Sequence, residues 1–430
     1  MSTNNLGYAD EKAPEVEVLE VPATLTYKKQ RPSFAHRLLK VIIVLFGGLL
    51  VVDLLSHGPA LGQISRGCHG LRHRHRMNGW DDGHQHPFPP IDKWKPFEGT
   101  THFEFEPKVA SGFTVRGTKA FGKVVFETSK LSEKVVIDLD IKTSKKDKNN
   151  DVSVEEDNGY LTIHTPDTGK LETYVSAKIQ LPSNIIGTYG IPKFEVDVPR
   201  HMVDFSGLPE SLEIGEFTVR VAKGFVKSGP VHTNMTTISV ADGALRGSLT
   251  HARKHTDVNV VKGNATIDIP RISSGNEGST TIHLGNGHLN GTLSIYNSTS
   301  IDVARGSIWI NVDFKDAEPR AQFTTRIASG DSRVYVNSIA EERLFHSNHN
   351  TVAGDQLITY PSNFQGTIDA RGIAGNIKLA GEELNVEKVI GGMVGTKGDP
   401  NRNYMSVKSV KGALDILVGD EDKAERQNHV

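Results

Sequence analysis

Cysteine is almost absent from this chain of 430 residues, which contains only Cys68. Because one cysteine cannot form an intramolecular disulfide, a folded domain must be held together by packing and strand pairing. Cys68 can link two copies of the chain, or it can remain a free or acylated thiol without structural consequence.

An excess of charge of one sign is also missing. The chain carries 49 Lys and Arg against 51 Asp and Glu, a formal net charge of −2. A nucleic-acid-binding protein needs a net basic surface to hold phosphates. We therefore expect no nucleic-acid partner.

Common catalytic motifs are lacking as well. The sequence has no Gly-x-Ser-x-Gly elbow, no His-Glu-x-x-His and no Cys-x-x-Cys. The stretch from Gly285 to Gly291 is one residue away from a dinucleotide fingerprint but lacks the helix that should follow it, and two Asn-Gly turns explain it better. We predict no catalytic, cofactor-binding or metal-ligating residue, and the protein is not expected to be an enzyme.

One long hydrophobic run is present, from Leu38 to Leu55, with Lys40 and Asp53 as its only charged residues. As a helix this run spans about 27 Å, close to the hydrocarbon thickness of a bilayer. It predicts a transmembrane helix, with the lipid bilayer as a partner.

Basic residues before this run, among them Lys28, Lys29 and Arg37, indicate that the N-terminal side stays in the cytosol. The pattern predicts a type II signal-anchor, with residues 1–37 as a disordered cytosolic tail. The rest of the chain would then lie in the secretory lumen or outside the cell. A cleaved signal sequence ending near Ala60 is the alternative.

Residues 56–100 are predicted to be a juxtamembrane linker rich in histidine. Imidazole is a common zinc or copper ligand, but the spacing matches no closed metal motif and neighbouring arginines oppose cation binding. Metal binding, a pH-responsive basic stalk and an inert spacer remain as alternatives. The six histidines are His57, His69, His73, His75, His84 and His86.

From residue 101 the pattern changes to short runs of alternating apolar and polar residues, which predict β-strands. Asn158-Gly159 lies between two such runs and predicts a type I′ hairpin turn. The predicted β domain covers residues 101–418, and residues 419–430 are predicted to be a disordered tail.

Glycines mark an imperfect repeat within this domain. Each glycine precedes alternating apolar residues, as Gly263 precedes Ala265, Ile267 and Ile269. The spacing fits one coil of a β-solenoid with a glycine at a tight corner, and a Greek-key β-sandwich is the alternative. The glycines at 243, 263, 287, 306 and 330 lie 20, 24, 19 and 24 residues apart.

The glycine-led strands, the hairpin at Asn158-Gly159-Tyr160 and the Ile179-Gln-Leu-Pro182 segment resemble adhesin-like families of repeating β-strands, including the autotransporter-adhesin head domain. The anchor followed by such a domain is similar to uncharacterised fungal single-pass membrane proteins. The resemblance implies a mostly β, surface-exposed domain without enzymatic activity, and it assigns no functional residue.

Two functions are compatible with these features. A non-enzymatic adhesin-like domain would bind a cell-surface protein or a polysaccharide. The alternative, a carbohydrate-active enzyme on a β-helix, would need acids such as Asp268, Asp302 and Asp313 together on one face. Four sequons in the region predicted to be lumenal predict N-glycosylation at Asn234, Asn264, Asn290 and Asn297.

Overall fold

The computed structural model describes residues 91–107, 110–130, 132–144, 152–167, 171–183, 190–250, 252–270, 278–314, 321–340 and 344–419. In these ranges the chain is almost entirely β-structure, with one 3-10 turn at Ile91–Lys93. No helix within them is long and apolar enough to cross a bilayer. The predicted anchor 38–55, tail 1–37 and most of the histidine-rich linker lie outside the described residues.

The first ten strands are short. They are β1 Lys95–Pro96, β2 His102–Phe105, β3 Ser111–Arg116, β4 Ala120–Ser129, β5 Val135–Thr143, β6 Ser153–Asp157, β7 Tyr160–His164, β8 Thr173–Pro182, β9 Ile191–Val198 and β10 Arg200–Asp204.

Five long strands follow, and each of them bends at a glycine. They are β11 Glu213–Ser228, β12 His232–Ser248, β13 His255–Ile269, β14 Ser279–Ser294 and β15 Ser298–Phe314.

The remaining strands are short again. They are β16 Ala321–Ser329, β17 Ser332–Ile339, β18 Phe345–Ala353, β19 Gln356–Tyr360, β20 Gly366–Ala374, β21 Ile377–Gly381, β22 Asn385–Val389, β23 Gly392–Lys397, β24 Tyr404–Lys411 and β25 Leu414–Val418.

The strands stack as parallel coils. Each bent strand pairs in register with the next along both of its halves, so that β11 lies on β12 and β14 lies on β15. From β16 onward each coil consists of two strands, one before and one after its corner glycine, as in β16 with β17 and β18 with β19. This parallel stacking agrees with the solenoid-like prediction, whereas the strands of a Greek-key sandwich pair antiparallel.

The corner glycines stack on one another. Gly263 has a φ of +134°, and a Cβ on it would lie 1.6 Å from the carbonyl oxygen of Gly243. Both the backbone conformation and the close approach require a residue without a side chain. The predicted role of these glycines is confirmed.

The order of the coils departs from chain order at both ends. At the N-terminal end β3 and β4 lie between the β7/β8 coil and the β9/β10 coil. At the C-terminal end β24 and β25 lie between the β18/β19 coil and the β20/β21 coil.

Antiparallel strands cover both ends of the stack. At one end β5 pairs with β8 and β6 pairs with β7 through the hairpin at Asn158 and Gly159, whose φ angles are 50° and 84°. The predicted hairpin is confirmed. At the other end β23 pairs with β20 and β22 pairs with β23. Covering strands of this kind keep the stack from continuing into another molecule.

A single apolar core runs through the described coils. Inward residues alternate along each strand, as with Ile282 and Leu284 before the corner of β14 and Leu289 and Leu293 after it. Full burial of such a side chain stabilises the fold by about 1.5–3 kcal/mol. The alternate residues must therefore point outward, and they form two faces.

Candidate binding surface

The two faces are distinguished by the corner glycines. The leading face consists of the outward residues that precede the glycine in each coil, and the trailing face of those that follow it. Because the coils are in register, outward residues at the same position form columns that cross the strands, with neighbours about 4.8 Å apart.

The leading face carries ion pairs between coils. Arg220 pairs with Glu195, and Arg326 Nη1 lies 3.0 Å from Asp302 Oδ1. Exposed pairs of this kind contribute at most about 1 kcal/mol each. The charged groups of these two pairs are therefore already partnered within the fold.

The acids considered for an enzyme are not brought together. Asp302 lies on the leading face, whereas Asp268 and Asp313 follow the corner glycines of β13 and β15. Asp268 Oδ1 accepts a hydrogen bond from the Thr292 backbone N–H at 3.0 Å. Asp313 accepts one from the Ser338 hydroxyl. No catalytic pair results from these three carboxylates.

The four predicted glycosylation sites occupy different environments. Asn234 is half-buried and the hydroxyl of its sequon partner Thr236 is buried, whereas Asn264, Asn290 and Asn297 are exposed. Asn264 Oδ1 accepts a hydrogen bond from the His288 backbone N–H at 3.1 Å. Glycosylation at these positions stays a prediction.

Metal ligands do not gather in the described part of the chain, where no group of three or more His, Cys, Asp or Glu side chains could hold an ion. The six histidines of the predicted linker lie outside the described residues. The metal hypothesis for that segment therefore remains a prediction.

Two histidines are buried in the core. Burial lowers the pKa of His201 and the pKa of His349 to about 3, because an apolar surrounding disfavours the charged ring. His349 Nδ1 lies 2.9 Å from Thr325 Oγ1. His201 lies at the corner of its coil, between the corner glycines Gly122 and Gly224 of the two neighbouring coils. Both side chains are enclosed, so they are structural groups rather than parts of a surface site.

The trailing face carries two exposed aromatic residues on neighbouring coils. Trp309 of β15 and Tyr335 of β17 are each 37% exposed. They point outward because their neighbours Ile308, Ile310 and Val334 point into the core. Packing of the described core therefore does not account for the two rings.

Arg333 holds the indole of Trp309 from one side. The two residues are register partners, and the guanidinium carbon lies 4.7 Å from the centre of the indole ring. A cation over an aromatic face contributes about 0.5–1 kcal/mol at an exposed site. The contact favours one orientation of the ring.

An asparagine lies on the coil before each aromatic residue. Asn290 is the register partner of Trp309, and Asn311 is the register partner of Tyr335. Both asparagines are exposed, and neither side chain has a hydrogen-bonding partner among the described residues. Because the asparagine side chain is short, the outer part of each aromatic ring extends beyond the asparagine on the coil before it.

We call this set the trailing-face patch: Asn290, Trp309, Asn311, Arg333 and Tyr335. The two asparagine–aromatic pairs are offset by one coil and by two residues along the strand. The Cα atoms of Trp309 and Tyr335 are therefore about 8 Å apart on a diagonal. Sequence reasoning missed the patch, because its members become neighbours only through the register between coils.

Comparisons with known proteins assign no family. No family model matches the chain, and no curated protein sequence matches it at a significant level. By its fold the described part is a β-repeat domain of stacked coils.

Several solved bacterial structures are similar to a large share of the chain. A candidate lipid-binding protein from Parabacteroides distasonis has 14% identity, with 74% of this chain and 96% of that chain covered and a TM-score of 0.31. A candidate cell adhesion protein from Clostridium sporogenes has 11% identity, 75% and 100% coverage and a TM-score of 0.17. A candidate adhesin from Parabacteroides distasonis has 10% identity, 75% and 98% coverage and a TM-score of 0.26.

These TM-scores are too low to assign a fold or a function to this chain. The three proteins are bacterial, and they do not support the predicted resemblance to fungal membrane proteins.

Proposed function

We propose that this chain is a single-pass type II membrane protein whose stacked β domain is a non-enzymatic, adhesin-like binding module. The observation that carries the proposal is the trailing-face patch, where exposed rings lie beside amides that have no hydrogen-bonding partner within the described ranges. Such groups are available to a ligand, and the described core does not need them. The ligand class is a cell-surface protein or a polysaccharide.

The sequence supports the membrane topology. The apolar run 38–55 is preceded by basic residues, and all four sequons follow it. This arrangement would present the β domain to the secretory lumen or the cell exterior, where an adhesive module meets its ligands.

The stacked coils suit binding rather than catalysis. Side chains on a repeat stack keep fixed spacings over a long distance, which fits an extended or flat partner. The acids that a carbohydrate-active enzyme would need are divided between the two faces, and each of the three has a partner. This arrangement favours the adhesin-like function over the enzymatic alternative.

A protease-protection experiment on intact microsomes tests the topology. We expect a protected fragment of about 370 residues, the length that follows the anchor, and we expect it to shrink on treatment with a glycosidase. Digestion of the β domain without permeabilisation would contradict the proposed orientation.

An adhesion assay tests the binding role. Cells that display the full chain should adhere to beads coated with cell-surface protein or with polysaccharide more strongly than cells without it. Equal adhesion of the two cell populations to both kinds of bead would contradict the proposal.

A further inference from the structure

The trailing-face patch contains the same arrangement twice. In one column Thr266, Asn290 and Trp309 follow one another on β13, β14 and β15. In the adjacent column Thr292, Asn311 and Tyr335 follow one another on β14, β15 and β17. Each column thus presents a hydroxyl, then an amide, then an aromatic ring.

This order of groups matches the surface of a sugar. A pyranose ring has an apolar face of C–H groups and a rim of hydroxyls. The face of an aromatic ring carries partial negative charge and attracts the slightly positive C–H groups. An amide side chain both donates and accepts hydrogen bonds, as a sugar hydroxyl does.

From this repeated arrangement we infer that the trailing-face patch binds a neutral polysaccharide. The inference rests on the proposed function and names its ligand class. One sugar unit lies over Asn290 against the Trp309 ring, and another lies over Asn311 against the Tyr335 ring. The diagonal of about 8 Å between the two is longer than one pyranose ring, so the ligand is a chain of sugars.

Four of the five patch residues are uncharged, which favours a neutral chain as the ligand. Arg333 is the only charged member of the patch, and its guanidinium lies over the Trp309 ring. The nearest carboxylate in the Tyr335 column, that of Asp268, accepts a hydrogen bond from the Thr292 backbone. The remaining members of the patch are two amides without a hydrogen-bonding partner among the described residues and two exposed aromatic rings.

Asn290 is also a predicted glycosylation site. A glycan attached there would lie at the foot of the Trp309 ring and would compete with an external polysaccharide for the first sugar position. The binding experiment therefore uses chain made in a bacterial host that adds no N-linked glycan.

The test measures binding of the full chain, solubilised in detergent, to particles of neutral β-glucan and of chitin. We expect the wild type to bind at least one of these neutral probes. The double variant Trp309→Ala/Tyr335→Ala should bind at least about tenfold more weakly, which corresponds to about 1.4 kcal/mol.

Tyr404→Ala is the matched control. Tyr404 is 39% exposed on β24, and it precedes the corner glycine Gly412, so it belongs to the leading face. Its replacement should leave binding unchanged. Thermal unfolding of all variants shows whether each is folded. Trp309→Phe keeps an aromatic ring and should therefore bind more strongly than the double variant.

Three outcomes would overturn the inference. The first is equal binding by the double variant and the wild type, and the second is no binding of the wild type to either neutral probe. The third uses polygalacturonate as an additional, acidic probe: the wild type binds this probe alone, and the binding disappears when salt is added. Adhesion of displaying cells to protein-coated beads without binding to sugar would refute the sugar ligand and leave the proposed function standing. Absence of all adhesion would refute both.

Discussion

The middle coils and the end coils of the stack differ in how many aromatic side chains their cores contain. From β12 to β15 the inward positions before the corner are aliphatic, with Ile238, Val258, Ile282 and Ile301 at the same position in successive coils. Toward the ends, clusters of aromatic rings join the aliphatic side chains. Phe126, Phe194, Phe205 and Phe217 contact one another at one end, and Phe314, Phe323, Phe345, Tyr360 and Phe364 at the other.

This difference shows where regular stacking holds. In the middle, each coil lies on a nearly identical coil, so one residue type fits every level and the sequence repeats. Near the ends, strands leave chain order, antiparallel strands close the stack, and aromatic rings pack among the aliphatic side chains. Each end also encloses one histidine, His201 or His349.

The largest expected effect comes from breaking the regular middle at its corner. Gly263→Ala would place a Cβ 1.6 Å from the Gly243 carbonyl oxygen at a φ of +134°. Because backbone of the stack must move, we expect a loss of about 5 kcal/mol in the free energy of unfolding, measured by urea denaturation. Gly391→Ala is the control, since apart from Gly391 itself and its two chain neighbours no atom lies within 4 Å of its Cβ position. It should cost only about 1–2 kcal/mol for its positive φ.

The aromatic end is tested by Phe345→Ala. The Phe345 ring is fully buried and stacks on Phe314 with ring centres 4.4 Å apart. The cavity should lower the free energy of unfolding by about 3–5 kcal/mol. Phe345→Leu should recover part of this loss, and a loss below about 1 kcal/mol for Phe345→Ala would show that the end is loosely packed.

Acid should weaken the ends through the buried histidines. The pKa of His349 is about 3 in the folded chain against 6.5 for a free side chain. Since the unfolded chain then binds more protons below pH 6.5, stability is full above that pH. As the pH drops from 6.5 toward 3, each buried histidine lowers the free energy of unfolding by about 1.4 kcal/mol for every pH unit.

His349→Phe should reduce this pH dependence. Between pH 7.5 and pH 5 the variant should lose about 2 kcal/mol less stability than the wild type, as measured by urea denaturation at both values. His201 remains in the variant, so part of the dependence should persist. Equal losses for variant and wild type would contradict the assigned pKa.

The smallest effect is expected on the outer surface of the middle coils. Trp309→Ala removes an exposed ring and its contact with Arg333, so the free energy of unfolding should change by less than about 1 kcal/mol. Thermal unfolding measures this change. A much larger loss would mean that Trp309 serves the fold rather than a ligand.

Local features of the fold were predictable from the sequence. The corner glycines and the hairpin at Asn158-Gly159 need a positive φ, which only a few residue types adopt readily. The same signal was misread between Gly285 and Gly291. That stretch lies inside β14, with Gly287 at the corner, so the prediction of two turns was wrong. A glycine with a positive φ occurs both in hairpin turns and at the corners of bent strands. The local sequence alone does not distinguish these two structures.

The candidate site was not predictable, because it depends on register between coils. Asn290 and Trp309 are 19 residues apart, whereas Asn311 and Tyr335 are 24 residues apart. The unequal lengths of the return segments hide the alignment of the two pairs. In the sequence, each aromatic residue is one more outward position in an alternating strand.

The placement of β24 and β25 between two earlier coils constrains the order of folding. During synthesis the β20/β21 coil and its covering strands emerge before the segment that they must rest on. The edge of β18 therefore remains open until residues 404–418 arrive. Completion of the domain then depends on a late, long-range step, which is inherently slow and leaves an unpaired edge exposed to aggregation. A nascent chain interrupted before Tyr404 would be a substrate for quality control rather than a shorter working domain.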